Sequence, residues 1–496
     1  MGGSTGGSTG GSAGGSAGRS TGGSAAGSTG RSTGGSIRGR ARGTANQSLL
    51  RALLVARFVR ARWGYRFPSR HRFEVWQRRR MRAFVRRARR APYWAGRRAR
   101  DFPVTDKTAL LEHFDAMNTR GVRLTEALAA AQAAERSRDF TPTVAGDLTV
   151  GLSSGTSGRR GAFLVSPRER MLWAGTVLAR VLDRAAVAQL LQPWRPPVTI
   201  AFFLRAGGGL YESVASSRVR FAYYDLTEPF EALVQRLAGA GRVTVLVGPA
   251  SVLDALAQAS ATAGIAAPRL VVSVAEVLEP ETAERIEAAW GVRPRQVYQA
   301  TEGLLALPCD AGALHLAEET VRFDREWLDA GRTRFVPVVT DLERRTQIIA
   351  RYRLDDVLRV DPAAPERCAC GRVTTVLAGV DGRADAVLRL PAVDGSRLVE
   401  VFPDVLRRAF ALESAAFADW RVTQRGTTVH VALDVPAAGS TADGPGRAPG
   451  DSAREAVDRA LGEVFDTAGC SATIEHDPWT PRDPAVKLRR IVRESP

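Results

Sequence analysis

The sequence predicts an α/β protein: a large body of alternating strands and helices, followed by a small α+β domain. Two observations carry this. From about residue 103, apolar strand-like runs alternate with helical apolar spacing, the pattern of a sheet covered by helices on both faces. After Asp385 the texture changes to short strands, a Gly/Pro/Ser linker and one long amphipathic helix.

Taken in order, residues 1–46 are Gly/Ser/Thr repeats with scattered arginine. They hold too little apolar surface to fold and are expected to be a disordered tail. Residues 47–101 read as an arginine-rich helical segment. Leu49, Leu50, Leu53, Leu54 and Phe58 lie at helical spacing, and a second pattern runs from Phe73 to Val85. The plain reading is a helical collar with solvated arginines. The sharper one is a basic amphipathic surface for anionic lipid, tRNA or a carrier protein.

In the body, 102–383, strands are expected at 148–152, 162–165, 198–204, 243–247, 270–274 and 296–299. Helices are expected at 229–237, 251–259 and 281–289. In 384–496, a helix at 401–410, strands at 420–423 and 429–435, a linker at 436–452, a helix at 453–468 and a strand at 472–475 follow.

Charge is uneven. The formal net charge of the 496 residues is +18, yet residues 1–100 hold 23 arginines and a single acid, Glu74. The remainder is slightly acidic, so a high isoelectric point does not make the body a nucleic-acid binder. Lysine is nearly absent: Lys107 and Lys487 stand against 68 arginines. Under such a bias, a lysine marks a place where a compact ammonium is needed. Four cysteines exclude a disulfide framework. No apolar run reaches the ~20 residues of a membrane span, and no signal-peptide pattern is present. These features predict a cytoplasmic protein.

The densest chemical signal is Ser153-Ser154-Gly155-Thr156-Ser157-Gly158-Arg159-Arg160-Gly161. Between two strands, such a loop can wrap a polyphosphate: glycines let backbone N–H groups approach, hydroxyls donate, and guanidinium groups balance charge. It is neither a Walker A loop nor GxGxxG. A Gly/Ser hairpin turn is the plain alternative.

The loop resembles the phosphate loop of the adenylate-forming (ANL) superfamily. Tyr298-Gln299-Ala300-Thr301-Glu302-Gly303, Arg351-Tyr352-Arg353-Leu354-Asp355-Asp356 and Gly382-Arg383-Ala384-Asp385 resemble its further motifs, in the right order, and Lys487 resembles its C-terminal lysine. The flavour is similar to phenylacetate–CoA ligases and to synthetases that adenylylate a deazaflavin coenzyme. The resemblance implies a large adenylate-forming N-terminal domain with a small α+β C-terminal lid, and ATP-dependent activation of an organic carboxylate to acyl-AMP. Transfer to a thiol, coenzyme A or a carrier's phosphopantetheine, would follow. The alternatives are an adenylyltransferase that leaves AMP on its acceptor and a non-catalytic polyanion-binding homologue.

By position, the resemblance implies that Ser153, Ser154, Gly155, Thr156, Ser157, Gly158 and Arg159 hold the β- and γ-phosphates. Glu302 would bind Mg²⁺ and Thr301 would contact the α-phosphate. Tyr298 would stack on adenine, Asp356 would take the ribose hydroxyls and Arg383 would reach the nucleotide. Asp385 would be the hinge, and Lys487 would serve adenylation from the lid. Two departures stand out: arginine replaces the usual lysine after the loop, and Val486 replaces the glycine before Lys487.

A second constellation is Cys309, His315, Cys368 and Cys370. Three cysteines and one histidine fit a structural zinc shell, and the segments carrying them are expected to meet because both flank nucleotide motifs. Buried cysteines and a satisfied histidine are the alternative. Cys470 is expected in the core. Phe202, Phe203, Tyr211, Tyr223 and Tyr224 suggest a flat or apolar substrate, unless they are core.

Overall fold

The computed structural model describes residues 34–152, 161–205, 215–413, 416–435, 449–481 and 489–494. The chain divides into two units, residues 1–49 and 50–496. In the first, the described part is the start of helix α1 (Gly34–Val59). The helix begins at Gly34, inside the segment 1–46. Arg38, Arg40, Ala41, Arg42 and Ala45 are strong helix formers and extend the turn pattern set by Leu49 and Leu50.

In the second unit, α1 continues into a π-helical turn at Arg60–Gly64, and α2 (Arg70–Ala88) follows, capped by the Ser69 hydroxyl. Phe73, Phe84 and Ala88 are fully buried, so α2 packs one face on the body. Not every arginine here is solvated. Arg57 is buried and donates to the Thr176 hydroxyl and to Tyr65 Oη, each at 2.7 Å.

Helices α3 (Lys107–Glu112) and α4 (Leu124–Ser137) lead to a hairpin, β1 (Thr149–Leu152) and β2 (Ala162–Val165), with Leu152 opposite Ala162. The phosphate-loop residues Ser153 to Arg160 lie outside the described residues. Helices α5 (Pro167–Val181) and α6 (Arg184–Leu191) come next, α5 opened by a Ser166/Glu169 capping box.

A parallel five-stranded sheet has the order β4-β3-β5-β6-β7. Its elements are β3 (Val198–Leu204), β4 (Val219–Asp225), α7 (Phe230–Gly239), β5 (Val245–Gly248), α8 (Ala250–Ala263), β6 (Leu270–Ser273), α9 (Pro280–Trp290) and β7 (Arg295–Gln296). Strand periodicity splits its side chains: Ile200, Val245 and Val272 face one core, while Phe203, Leu246 and Val271 face another with Leu253 and Ile286. Phe203 stacks on Tyr224 within that second core, 4.3 Å between centroids. Both are core residues.

The expected strand at 296–299 is broken at Val297. Gln296 ends the parallel sheet, and Tyr298 opens an eight-stranded antiparallel sheet. Its strands are β8 (Tyr298–Ala300), β9 (Gly303–Pro308), β10 (Leu314–Leu316), β11 (Val321–Trp327), β12 (Arg334–Asp341), β13 (Tyr352–Arg353), β14 (Asp356–Val360) and β15 (Val376–Arg383). The order is β11-β12-β14-β15-β10-β9-β8, with β13 on β12.

Beyond Asp385 lie a hairpin of β16 (Leu388–Pro391) and β17 (Leu398–Val401), helix α10 (Pro403–Leu412), β18 (Asp419–Arg425), β19 (Thr428–Asp434), helix α11 (Pro449–Ala468), β20 (Thr473–His476) and β21 (Ile491–Arg493). The last four strands form a sheet in the order β20-β19-β18-β21. Phe410 stacks on Trp420 at 3.9 Å in its core, where Cys470 is buried. Arg407 of α10 pairs with Glu279 at 3.2 Å and donates to the Asp381 carbonyl at 3.0 Å.

Candidate active site

Strand register assembles the candidate site. β14 runs antiparallel to β15 with Asp356 opposite Arg383, so the start of one motif meets the end of another. β8 and β9 are joined by a tight turn carrying Thr301 and Glu302. The Tyr298 hydroxyl reaches across to donate to Asp356 Oδ2 at 2.5 Å. Burial and the neighbouring Asp356 carboxylate raise the Tyr298 pKa, so it stays a donor.

Arg383 donates to Asp355 Oδ2 at 3.0 Å and to Asp385 Oδ1 at 3.2 Å. The other oxygen of Asp385 takes Arg489 Nη2 at 2.6 Å. The Asp385 carboxylate is thus clamped by arginines from two segments. Arg353 pairs with Glu326 at 2.7 Å, the strand ion pair its position suggests.

Glu302 accepts from the Thr301 hydroxyl at 3.1 Å and from Tyr352, yet burial pushes its pKa up. A desolvated carboxylate with too little compensation is suited to a hard cation.

Two contributors were given no site role by the sequence reading. Lys107, at the start of α3, stands within electrostatic range of Arg383, Glu302 and Asp355, and burial followed by Arg383 lowers its pKa. Backbone bonds between Thr105 and residues 351 and 353 bring it there. Its signal was the scarcity of lysine. The second contributor is the segment 344–347. Arg344 is fully buried and donates to the Leu164 carbonyl at 2.8 Å and the Thr301 carbonyl at 2.7 Å. Gln347 accepts from Leu164 N at 3.0 Å, and Glu169 accepts from Arg345 N and Thr346 N. This segment locks strand β2 and helix α5 to the Thr301–Glu302 turn.

The structure therefore brings together Tyr298, Thr301, Glu302, Asp356, Arg383 and Asp385. Ser153, Ser154, Gly155, Thr156, Ser157, Gly158, Arg159 and Lys487 lie outside the described residues.

The Cys/His set also comes together, but not at the nucleotide motifs. Cys309 follows the end of β9, whose start follows Glu302, so the cluster sits at the strand's far end. The two segments converge because β9 and β10 pair, and β10 pairs with β15, rather than through the nucleotide motifs themselves. Donor atoms of Cys309, His315, Cys368 and Cys370 all lie within 4.8 Å of one another. Cys309 and Cys368 Sγ are 3.9 Å apart, and Cys370 Sγ is 3.6 Å from His315 Nε2. His315 Nδ1 lies 3.1 Å from the Thr374 carbonyl and 3.1 Å from its hydroxyl, which turns Nε2 to the sulfurs. The Cys309 thiol's hydrogen bond, helped by His315, pulls the Cys370 pKa down and raises that of Cys309 itself.

No protein-family model matches the chain, and no curated protein matches it. Among solved structures, it is similar to 2-hydroxyisobutyryl-CoA ligase in the postadenylation state in complex with 2-HIB-AMP. That match has 17% identity, a TM-score of 0.57, and covers 88% of this chain and 91% of the other. The same ligase with R3-HIB-AMP matches at 17% identity and a TM-score of 0.52, covering 89% of each chain. The chain shares the fold of this adenylate-forming ligase.

Proposed function

We propose that this chain is an ATP-dependent ligase that activates an organic carboxylate as acyl-AMP and passes the acyl group to a thiol, coenzyme A or a carrier pantetheine. The carrying observation is the convergence of Tyr298, Glu302, Asp356 and Arg383 on a fold shared with an acyl-CoA ligase solved with its acyl-adenylate. In the first step a carboxylate oxygen bonds to the α-phosphorus and the bond to pyrophosphate breaks. In the second, a thiolate sulfur bonds to the acyl carbon, AMP leaves and the thiol proton passes to solvent.

The barrier of the first step is electrostatic, an anion meeting an anion. Asp356, oriented by Tyr298, would take the ribose hydroxyls. Thr301, its carbonyl fixed by Arg344, would present its hydroxyl to the α-phosphate. Lys107 and Arg383 would place positive charge beside the reacting groups, and Ser153 to Arg159 would hold the outer phosphates. Glu302 would hold Mg²⁺, which would supply positive charge against the phosphates. Residues 384–496 would act as a lid turning about Asp385 and carrying Lys487. An enzyme using ATP and a thiol acceptor in this way belongs in the cytoplasm; among the described residues no helix is long and apolar enough to cross a membrane.

The Cys/His cluster suits zinc. A tetrahedron with ~2.3 Å Zn–S and ~2.05 Å Zn–N bonds has edges of about 3.8 Å between sulfurs and about 3.5 Å between sulfur and nitrogen. One sulfur pair stands 3.9 Å apart and one sulfur–nitrogen pair 3.6 Å apart, with all four donors within 4.8 Å of one another. Four protein donors leave no open position, so the ion would be structural.

The test is ATP–pyrophosphate exchange against aryl, acyl and amino acids, with Lys487→Ala as control. Exchange with one acid class, reduced by about 10²–10³-fold in the variant, supports acyl-adenylate formation. ATP binding without exchange would point instead to AMP transfer or a non-catalytic role.

A further inference from the structure

The outer faces of α1 and α2 have no task in adenylation. α1 is apolar on two sides. Its inner side buries Phe58, while its outer side exposes Val55 (57%), Val59 (49%) and, one turn on, Trp63 (50%). Spaced four residues apart, these three form a stripe along the helix. The Trp63 ring is held edge-on to Phe58, 6.0 Å between centroids.

α2 presents the opposite chemistry. Arg72, Arg79, Arg82 and Arg86 form an exposed ridge at helical spacing, with no acidic partner among the described residues. The arginines of α2 that do pair, Arg70 and Arg80, turn toward Glu318 and Glu343 of the body. The two helices are neighbours: Arg57 of α1 and Arg80 of α2 both engage Glu343, and Tyr65 meets Trp76 edge-on at 5.7 Å. Their inner sides share one acid, so stripe and ridge belong to the outside of one helical layer.

We propose that this layer is a docking surface for an anionic lipid bilayer. The stripe enters the boundary between headgroups and acyl chains, and the arginine ridge meets lipid phosphates. A nucleic acid would use the ridge but leave Val55 and Val59 in water. An anionic bilayer offers both negative charge and hydrocarbon and so satisfies the two faces together, with the layer lying on the membrane rather than crossing it.

The test is co-sedimentation of the full chain with vesicles of phosphatidylcholine alone or with about one-third phosphatidylglycerol. The parent is expected to pellet with anionic vesicles and stay in solution with neutral ones. Val55→Ser/Val59→Ser/Trp63→Ser, which keeps every charge, is expected to weaken binding by at least about tenfold. Arg79→Glu/Arg82→Glu/Arg86→Glu is expected to cost at least roughly fivefold per arginine, the value of the lost cation alone. All six positions are solvent-exposed or nearly so, and unchanged thermal unfolding would verify the fold. If the serine variant pellets like the parent while both bind duplex RNA, the layer is a polyanion site and the lipid proposal is overturned. A parent that ignores anionic vesicles overturns it as well.

Discussion

Removing the zinc proposed for the Cys309/His315/Cys368/Cys370 site is expected to lower stability without altering ATP affinity. Two of the donor pairs already stand about 0.1 Å from the edges of a zinc tetrahedron, and all four donors lie within 4.8 Å of one another, so binding requires only local adjustment of side chains. A site filled at a thousand times its dissociation constant contributes about 4 kcal/mol. At ~2 cal/mol/K per residue, a chain of this size unfolds with an entropy near 1 kcal/mol/K. The expected fall in Tm is therefore about 4 °C, after chelation or in Cys370→Ser. β9 has 6 residues, which puts Glu302 about 20 Å away, so KM for ATP should hold within about twofold. The assay pairs elemental zinc analysis with a thermal scan and pyrophosphate exchange. Protein that purifies without zinc and melts identically as Cys370→Ser refutes the site. Chelation that abolishes exchange in folded protein refutes the separation of metal from chemistry.

Tyr298→Phe removes a hydrogen bond to a carboxylate worth about 1.5–3 kcal/mol, so KM for ATP should rise roughly tenfold with kcat little changed; an unaltered KM would reduce Tyr298 to packing. Lys107→Met should lower exchange by about 10²-fold. Because burial and Arg383 lower the Lys107 pKa below its ordinary 10.5, the parent should lose activity on the alkaline side before an ordinary lysine would titrate, and Lys107→Arg should not; identical profiles would remove Lys107 from the site. Arg344→Met strips the nearest cation, 3.7 Å away, from buried Asp341 and two carbonyls of their donor, a loss of about 3–5 kcal/mol. Burial holds Asp341 up at about 6 against an ordinary 3.8. Between those values the native state binds more protons than the unfolded one, so this group's contribution improves as pH falls. Losing Arg344 raises the Asp341 pKa further, so the variant's deficit in urea should be largest above pH ~7 and shrink toward pH ~5; a deficit independent of pH would acquit the Asp341–Arg344 pair.

What the sequence made legible was local or carried by motif order. Tyr298, Glu302, Asp356 and Arg383 could be named because they sit in short motifs, and most helices and the strands of the parallel sheet other than β4 followed from apolar periodicity, whereas β9 to β15 of the antiparallel sheet did not. What could not be read depends on which strand pairs with which. Val297 looks like the middle of a strand, and only the pairing of Gln296 with the parallel sheet and of Tyr298 with β9 makes it a crossing point between sheets. Arg344 is one arginine among 68; its burial between the Leu164 and Thr301 carbonyls is a tertiary fact. Lys107 was visible by rarity, but its place beside Glu302 comes from the pairing of Thr105 with the segment around Tyr352. α1 starts early because helix propagation from its leucines outweighs a glycine-rich composition.

The position of the Cys/His cluster follows from the same sheet. Glu302 stands just before β9 and Arg383 ends β15, so the site requires these strands to hold a fixed relation. They do not pair directly: β10 lies between them with 3 residues, and only two of those pair with β15. So short a spacer gives few ladder bonds against slippage. The segment 361–375, between β14 and β15, adds loop-closure entropy. Cys309 at the end of β9, His315 on β10, and Cys368 and Cys370 in that segment are one residue set touching all three neighbours. A metal there would pin the register from the far end of β9 while staying out of the reaction. That is why its removal is expected to register as a lower Tm rather than as a changed affinity for ATP.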